Sequence, residues 1–187
     1  MRKIRTAVAG LTIGAALAFT GMAGTAQAGP AADQGVRATF EGRSINLAAG
    51  WQGAQACAVF AADDVRCYDT TEAADRATGY NRATDPLAAR ADERGARALP
   101  ACANDWVCLY QFTEGGGKRL IFSDEYWHNL DNYGFDNRTS SWRNNQSRDS
   151  ASLARYTDGT GTQVSLSGKS YASSLGTFDN KASAVHG

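Results

Sequence analysis

The sequence holds only two histidines, three prolines and two methionines in 187 residues, and no surplus of either charge, with 19 Lys and Arg against 19 Asp and Glu. Each shortage excludes something. Without a basic excess, a protein that binds nucleic acid by neutralising phosphates is not expected. His128 and His186 lack ligand spacing and no Cys-x-x-Cys pair exists, so zinc is a weak rival for the four cysteines. There is no His-Glu-x-x-His and no Gly-x-Ser-x-Gly. Gly168-Lys169-Ser170 imitates the end of a phosphate loop, but Gln163 stands where that loop needs its first glycine. His128, among Tyr126, Trp127 and Asn129, reads as a loop histidine rather than a general base. An enzyme is therefore not expected. After the amino terminus no apolar run is long enough to cross a membrane.

What is present begins with an export signal. Arg2, Lys3 and Arg5 precede the apolar run 7–19, and Ala26-Gln27-Ala28 supplies a small-x-small cleavage site before Gly29. Residues 1–28 read as a signal peptide, which makes the mature protein secreted, free of the membrane and slightly acidic. In an oxidising compartment Cys57, Cys67, Cys102 and Cys108 should form disulfides. Of the three possible pairings, Cys57–Cys67 and Cys102–Cys108 are favoured, because each pair brackets a short segment able to fold back. Asp63-Asp64 reads as the hairpin turn inside the first. In the chain-entropy model each bond is worth about 2–3 kcal/mol.

Three regions follow. Residues 29–79 carry a short strand pattern at Ser44-Ile45-Asn46-Leu47, the cysteine hairpin, and a helix start at Asp69-Thr70-Thr71-Glu72. Residues 80–101 are rich in Ala, Arg and Asp between Pro86 and Pro100, and read as a linker with a helix that is either exposed or packed. Residues 102–187 have strand signals at Val107–Phe112, Arg119–Phe122 and Gln163–Ser167, separated by glycine turns. This last region also repeats itself. Tyr110 and Tyr156 each open an aromatic-strand-to-glycine-turn unit, and Phe135-Asp136-Asn137-Arg138-Thr139-Ser140-Ser141-Trp142 matches Phe178-Asp179-Asn180-Lys181-Ala182-Ser183-Ala184-Val185. Two copies of one unit predict two Greek keys facing each other across a shared core. The fold expected is mainly β, a two-Greek-key sandwich at 102–187, preceded by a small disulfide-bearing α/β segment and the linker.

The duplicated loop resembles the βγ-crystallin superfamily, whose microbial members carry (Asn/Asp)-(Asn/Asp)-x-x-(Ser/Thr)-Ser in each key. Asp136–Ser141 fits at every position; Asp179–Ala184 fits at all but the last. The opening Cys102–Tyr110 with Gly115-Gly116-Gly117-Lys118-Arg119 is similar to a narrower group, the secreted peptidase inhibitors of the Streptomyces metalloproteinase inhibitor type. That resemblance implies a monomeric inhibitor of a secreted protease, a metalloprotease above all, working through a rigid loop in the active-site cleft. The contact surfaces it leaves to choose from are Gly115, Gly116, Gly117 and Lys118, and the aromatic loop with Tyr126, Trp127 and Tyr133. The superfamily also implies weak calcium sites. Asp136, Asn137 and Ser140, with the Arg138 carbonyl, would form one; Asp179, Asn180 and Ser183, with the Lys181 carbonyl, the other. The same loops could instead simply cap turns. The alternative function is a calcium-binding structural, cell-surface or carbohydrate-binding module. In the same family pattern a serine braces the folded hairpin through its hydroxyl, and Ala184 replaces it in the second key.

Overall fold

The computed structural model describes residues 35–93, 99–147 and 151–187; the expected signal peptide, 1–28, lies outside them. Among these residues are twelve strands: β1 Arg37–Phe40, β2 Arg43–Asn46, β3 Ala56–Ala61, β4 Asp64–Tyr68, β5 Val107–Tyr110, β6 Arg119–Phe122, β7 Trp127–Asn129, β8 Ser141–Asn144, β9 Ala151–Ala154, β10 Gln163–Leu166, β11 Ser170–Ala172 and β12 Ala184–His186. Two helices, α1 Thr71–Thr78 and α2 Pro86–Glu93, lie between β4 and β5. No helix among the described residues is long and apolar enough to cross a membrane.

The protein is mainly β, in two sheets. One runs β11-β8-β5-β6-β3-β4-β1-β2 and the other β10-β9-β12-β7. Strands β5–β8 form the first key and β9–β12 the second, and each key lends its third strand to the other's sheet. β7 pairs with β12, and β11 pairs with β8. This exchange ties the halves together, because neither sheet is complete without a strand from the other key. Val107, Leu109, Leu120 and Phe122 of the first key meet Leu153, Leu166, Phe178 and Val185 of the second in one buried core. Period-two alternation sends Cys108, Tyr110 and Ile121 to the opposite face of the first sheet. There they lie beside Ala56 and Ala58 of β3, and Ala74 of α1 packs on them.

Residues 36–68 extend this sheet rather than forming one of their own. β3 lies parallel to β6, with Ala56 opposite Arg119 and Val59 opposite Phe122, and β4, β1 and β2 continue outward. Residues 71–93 and 99–101 lie on the outer face and are held by two buried arginines. Arg119 donates to Asp75 Oδ1 at 2.6 Å and to the carbonyls of Thr71 and Ala101. Arg143, wholly buried, donates to Asp85 Oδ2 at 2.6 Å and to the Pro100 carbonyl at 2.8 Å. The other oxygen of Asp85 caps α2 by accepting from the Leu87 and Ala88 amides. Ala88, Ala91 and Leu99 are buried together, so α2 packs by one face.

Local expectations shift by a residue or two. The turn between β3 and β4 is Ala62-Asp63, not Asp63-Asp64, because a bulge after Val59 brings Ala61 opposite Asp64. The cap of α1 is Thr70, whose extended backbone lets its hydroxyl accept from Ala73 N at 3.1 Å; Asp69 precedes it. The repeat also aligns differently from the sequence reading. Phe112 N donates to Gly116 O and Tyr156 N to Thr160 O, so Phe112, not Tyr110, is the counterpart of Tyr156. Tyr110 stands in the strand itself, buried, its hydroxyl donating to the Ala101 carbonyl at 2.7 Å. The two disulfides are Cys57–Cys67, across β3 and β4, and Cys102–Cys108, which fastens the approach to β5.

Candidate functional site

Each key folds its first hairpin back under an aromatic ring. A Cβ on Gly117 would lie 2.7 Å from the Phe112 ring, and one on Gly161 2.7 Å from the Tyr156 ring. Both glycines also have positive φ, so two constraints select the same residue. The first hairpin is braced further. The Ser141 hydroxyl donates to the Phe112 carbonyl at 2.6 Å and accepts from Gly115 N at 3.0 Å, while Glu114 N donates to Ser173 O. The second hairpin has Ala184 where the first has Ser141, and Gly159 N turns instead to Tyr156 O. Gly115, Gly116, Gly117 and Lys118 thus sit on an ordered turn, with Phe112 57% exposed above it.

The duplicated loops lie face to face. Asn137 N donates to Ala182 O at 2.9 Å and Asn180 N to Thr139 O at 3.0 Å, and both asparagines have left-handed φ near 53°. The symmetry of these bonds places the two Phe-Asp-Asn segments in equivalent surroundings. Within each loop the Asn amide donates to the preceding carboxylate, Asn137 to Asp136 and Asn180 to Asp179. The other oxygen of each carboxylate, Asp136 Oδ1 and Asp179 Oδ1, is shielded from solvent and has no hydrogen-bond partner. An orphaned carboxylate oxygen is costly in a shielded place unless something positive satisfies it.

The loops differ in what faces them. A recess of about 340 Å³ is lined by Gln111, Phe112, Asp136, Asn137, Arg138 and Asn180. Ser140 Oγ lies 3.5 Å from Asn180 Oδ1 beside it. These amide, carboxylate, hydroxyl and carbonyl oxygens fit a hard cation in kind. Across the pseudo-twofold, Arg155 takes the place of Gln111. Its Nη1 donates to Asn137 Oδ1 at 3.2 Å and to the Lys181 carbonyl at 3.1 Å. A guanidinium therefore already occupies oxygens that the sequence reading assigned to a cation. Among the described residues no three His, Cys, Asp or Glu side chains converge as a metal cluster. Ser183 is buried and gives its backbone N–H to Ala154 O.

The aromatic loop divides. Tyr126 is 73% and Trp127 40% exposed, and the Trp127 ring lies over Gly159 and edge-on to His186. Tyr133 is buried and belongs to the core, not to a contact surface. Its hydroxyl lies 2.9 Å from His128 Nδ1, whose Nε2 is 2.6 Å from Asp124 Oδ1. Burial pushes the Tyr133 hydroxyl pKa well above the ordinary tyrosine range, with the Asp124 charge adding to it. Sequence reasoning missed Arg155 and Gln111, whereas the brace it expected at the motif's last serine is Ser141. Both become visible only when the repeat is aligned on Gly117 and Gly161 instead of on Tyr110 and Tyr156. Lys169, set aside as a false phosphate loop, is structural: its ammonium donates to Asn145 O and Asn104 Oδ1.

A double Greek key with exchanged third strands and two facing polar loops is the class this arrangement defines. Residues 95–153, which span the whole first key, match the model of peptidase inhibitor family I36. No curated protein matches the chain. Solved structures similar to it include one described as "Evolution of the eye lens beta-gamma-crystallin domain fold", at 17% identity over 46% of this chain and 86% of that one, TM-score 0.40. A beta gamma crystallin from Ciona intestinalis matches at 20% identity over 43% and 96% of the two chains, TM-score 0.38. The N-terminal domain of protein S matches at 17% identity over 43% and 92%, TM-score 0.37.

Proposed function

We propose that the mature chain is an exported peptidase inhibitor directed at metallopeptidases, and that the Phe112–Lys118 hairpin is the element that enters the active-site cleft. The observation that carries the reading is the match of residues 95–153 to the inhibitor family, since that stretch contains both the hairpin and its brace, Ser141. Physics supports the choice of element. A turn already held by Ser141, Ser173 and the Phe112 ring loses little freedom on binding, so more of the contact energy remains as affinity. Tyr126 and Trp127 are the exposed aromatic anchors of the same matched stretch, the residue type that dominates interface energetics. The test is titration of the chain from residue 29 against a thermolysin-type zinc peptidase and a subtilisin-type serine peptidase, with the inhibitor's mass followed. Stoichiometric loss of the metallopeptidase activity alone, with the chain intact, is expected. Digestion of the chain without loss of activity overturns the reading.

A second property is favoured by the orphaned Asp136 oxygen beside the 340 Å³ recess. Asp136, Asn180, Ser140 and the Arg138 carbonyl would hold one weakly bound calcium ion, and the Arg155 guanidinium would serve the equivalent loop in place of a second. Calcium would supply charge and cross-linking between the keys, not chemistry.

A further inference from the structure

The Leu47–Trp51 loop lies against the first key and leaves a groove of about 210 Å³ between them. Its walls are fixed. Trp51 Nε1 donates to the Tyr133 carbonyl at 2.7 Å, and the indole stacks on Phe135 with ring centres 5.7 Å apart. The loop seats so closely that a Cβ on Gly134 would stand 2.4 Å from the Leu47 carbonyl oxygen. Ala48, Ala49 and Gly50 give one side almost no side-chain bulk, and Lys118 and Arg138 reach in from the other. The Lys118 ammonium is 5.0 Å from the centre of the Trp51 ring. Burial, with help from the Arg138 charge, pulls the Lys118 pKa below the ordinary lysine range. No carboxylate lines the groove, and among the described residues neither cation makes an ion pair.

Two like charges held beside an aromatic wall without a counter-ion are an arrangement that an incoming anion relieves. The volume exceeds what a small ion needs, a water occupying about 30 Å³, and the small-residue wall admits a second backbone alongside. We infer that this groove binds an extended acidic peptide segment, whose Asp or Glu carboxylate pairs with Lys118 and Arg138 while its backbone lies along Ala48–Gly50. The site depends on the residues ahead of the first key and shares Lys118 with the Phe112–Lys118 hairpin, but its test reads peptide binding at Trp51 and Arg138, so its failure is distinguishable from failure of protease inhibition.

The test uses the mature chain labelled with ¹⁵N and an acetylated, amidated tetra-aspartate peptide, with the tetra-asparagine peptide and inorganic phosphate as controls. Saturable shifts of the Trp51 indole and the Lys118 and Arg138 amide resonances are expected with the aspartate peptide. K118Q and R138Q should each weaken binding about fivefold, the range of a partly exposed ion pair, and the double variant by about 25-fold if they act independently. R138Q, at an exposed side chain, keeps the test valid if K118Q disturbs Trp51. The inference is overturned by absence of saturable Trp51 shifts, by undiminished binding in K118Q/R138Q, by equal binding of the asparagine peptide, or by phosphate moving these resonances where the aspartate peptide does not.

Discussion

In the first key, β5 and β6 are buried on both faces, with the shared core on one side and α1, Asp85 and residues 99–102 on the other. In the second key, β10 alternates between exposed and buried positions and stands at the sheet's edge. The backbone plan is the same, but the chemistry diverges with the cover. At the position where β8 carries wholly buried Arg143 opposite Cys108, β12 carries half-buried His186 opposite Ser152. The covered key needs charges to hold its cover, and a buried guanidinium is tolerable only because Asp85 and the Pro100 carbonyl receive it. The exposed key needs no such clamp. Duplication sets the topology; what lies on each sheet sets the side chains.

The contrast can be broken most sharply at that pair of positions. Arg143→Ala leaves Asp85 buried without its partner and should cost about 3–5 kcal/mol, read by urea unfolding. His186→Ala, losing an edge-on contact with Trp127, should cost about 1 kcal/mol or less. Equal losses would remove the argument that cover decides the chemistry. The disulfide is the next asymmetry. Cys102→Ser with Cys108→Ser should cost about 2–3 kcal/mol in the same assay, and the exchange protection it removes should be confined to residues around β5. Protection lost equally in β9 would show that the keys do not open separately.

The hairpin brace comes third. Ser141→Ala removes a hydroxyl that makes two buried-side hydrogen bonds and should cost about 1–2 kcal/mol, with the Gly115 amide exchanging faster. Ala184→Ser should stabilise the second hairpin by no more than about 1 kcal/mol, slowing exchange at Gly159. The smallest effect concerns cations. Excess calcium should raise Tm of the parent protein by a degree or two through linkage, with one ion bound in calorimetry. Arg155→Gln vacates the second set of oxygens and should raise the stoichiometry to two. Asn180→Ala should abolish the first ion. A Tm unmoved by calcium in all three proteins would discard the cation sites altogether.

Much of the fold was legible because its signals are local. Short strand signals between glycine turns placed β5 and β6, alternation placed β10, and the paired Phe-Asp-Asn segments announced the duplication. The glycine turns were legible too, but their register was not. Tyr110 and Tyr156 are both aromatic, and only the hairpin hydrogen bonds show that Phe112 is the residue over the glycine. Of the loop residues, Asp136 and Asn137 were readable from the motif, whereas Arg155 belongs to the other key's hairpin and meets Asn137 only after the keys fold together. Tyr133 was misplaced on the surface for a similar reason. An aromatic in a polar loop does not reveal whether a ring such as Phe122 waits beneath it.

By itself, then, the chain's composition and spacing determined the disulfide pairs, short-range strands and turns, and a doubled half-barrel, because each depends on residues within a few positions of one another. Tertiary structure alone decided that β3 runs beside β6, that Asp85 answers Arg143, and that the Leu47–Trp51 loop faces Lys118. Those contacts join segments tens of residues apart, and hydrophobic patterning says that a strand edge or a buried charge needs a partner without saying which one it will find.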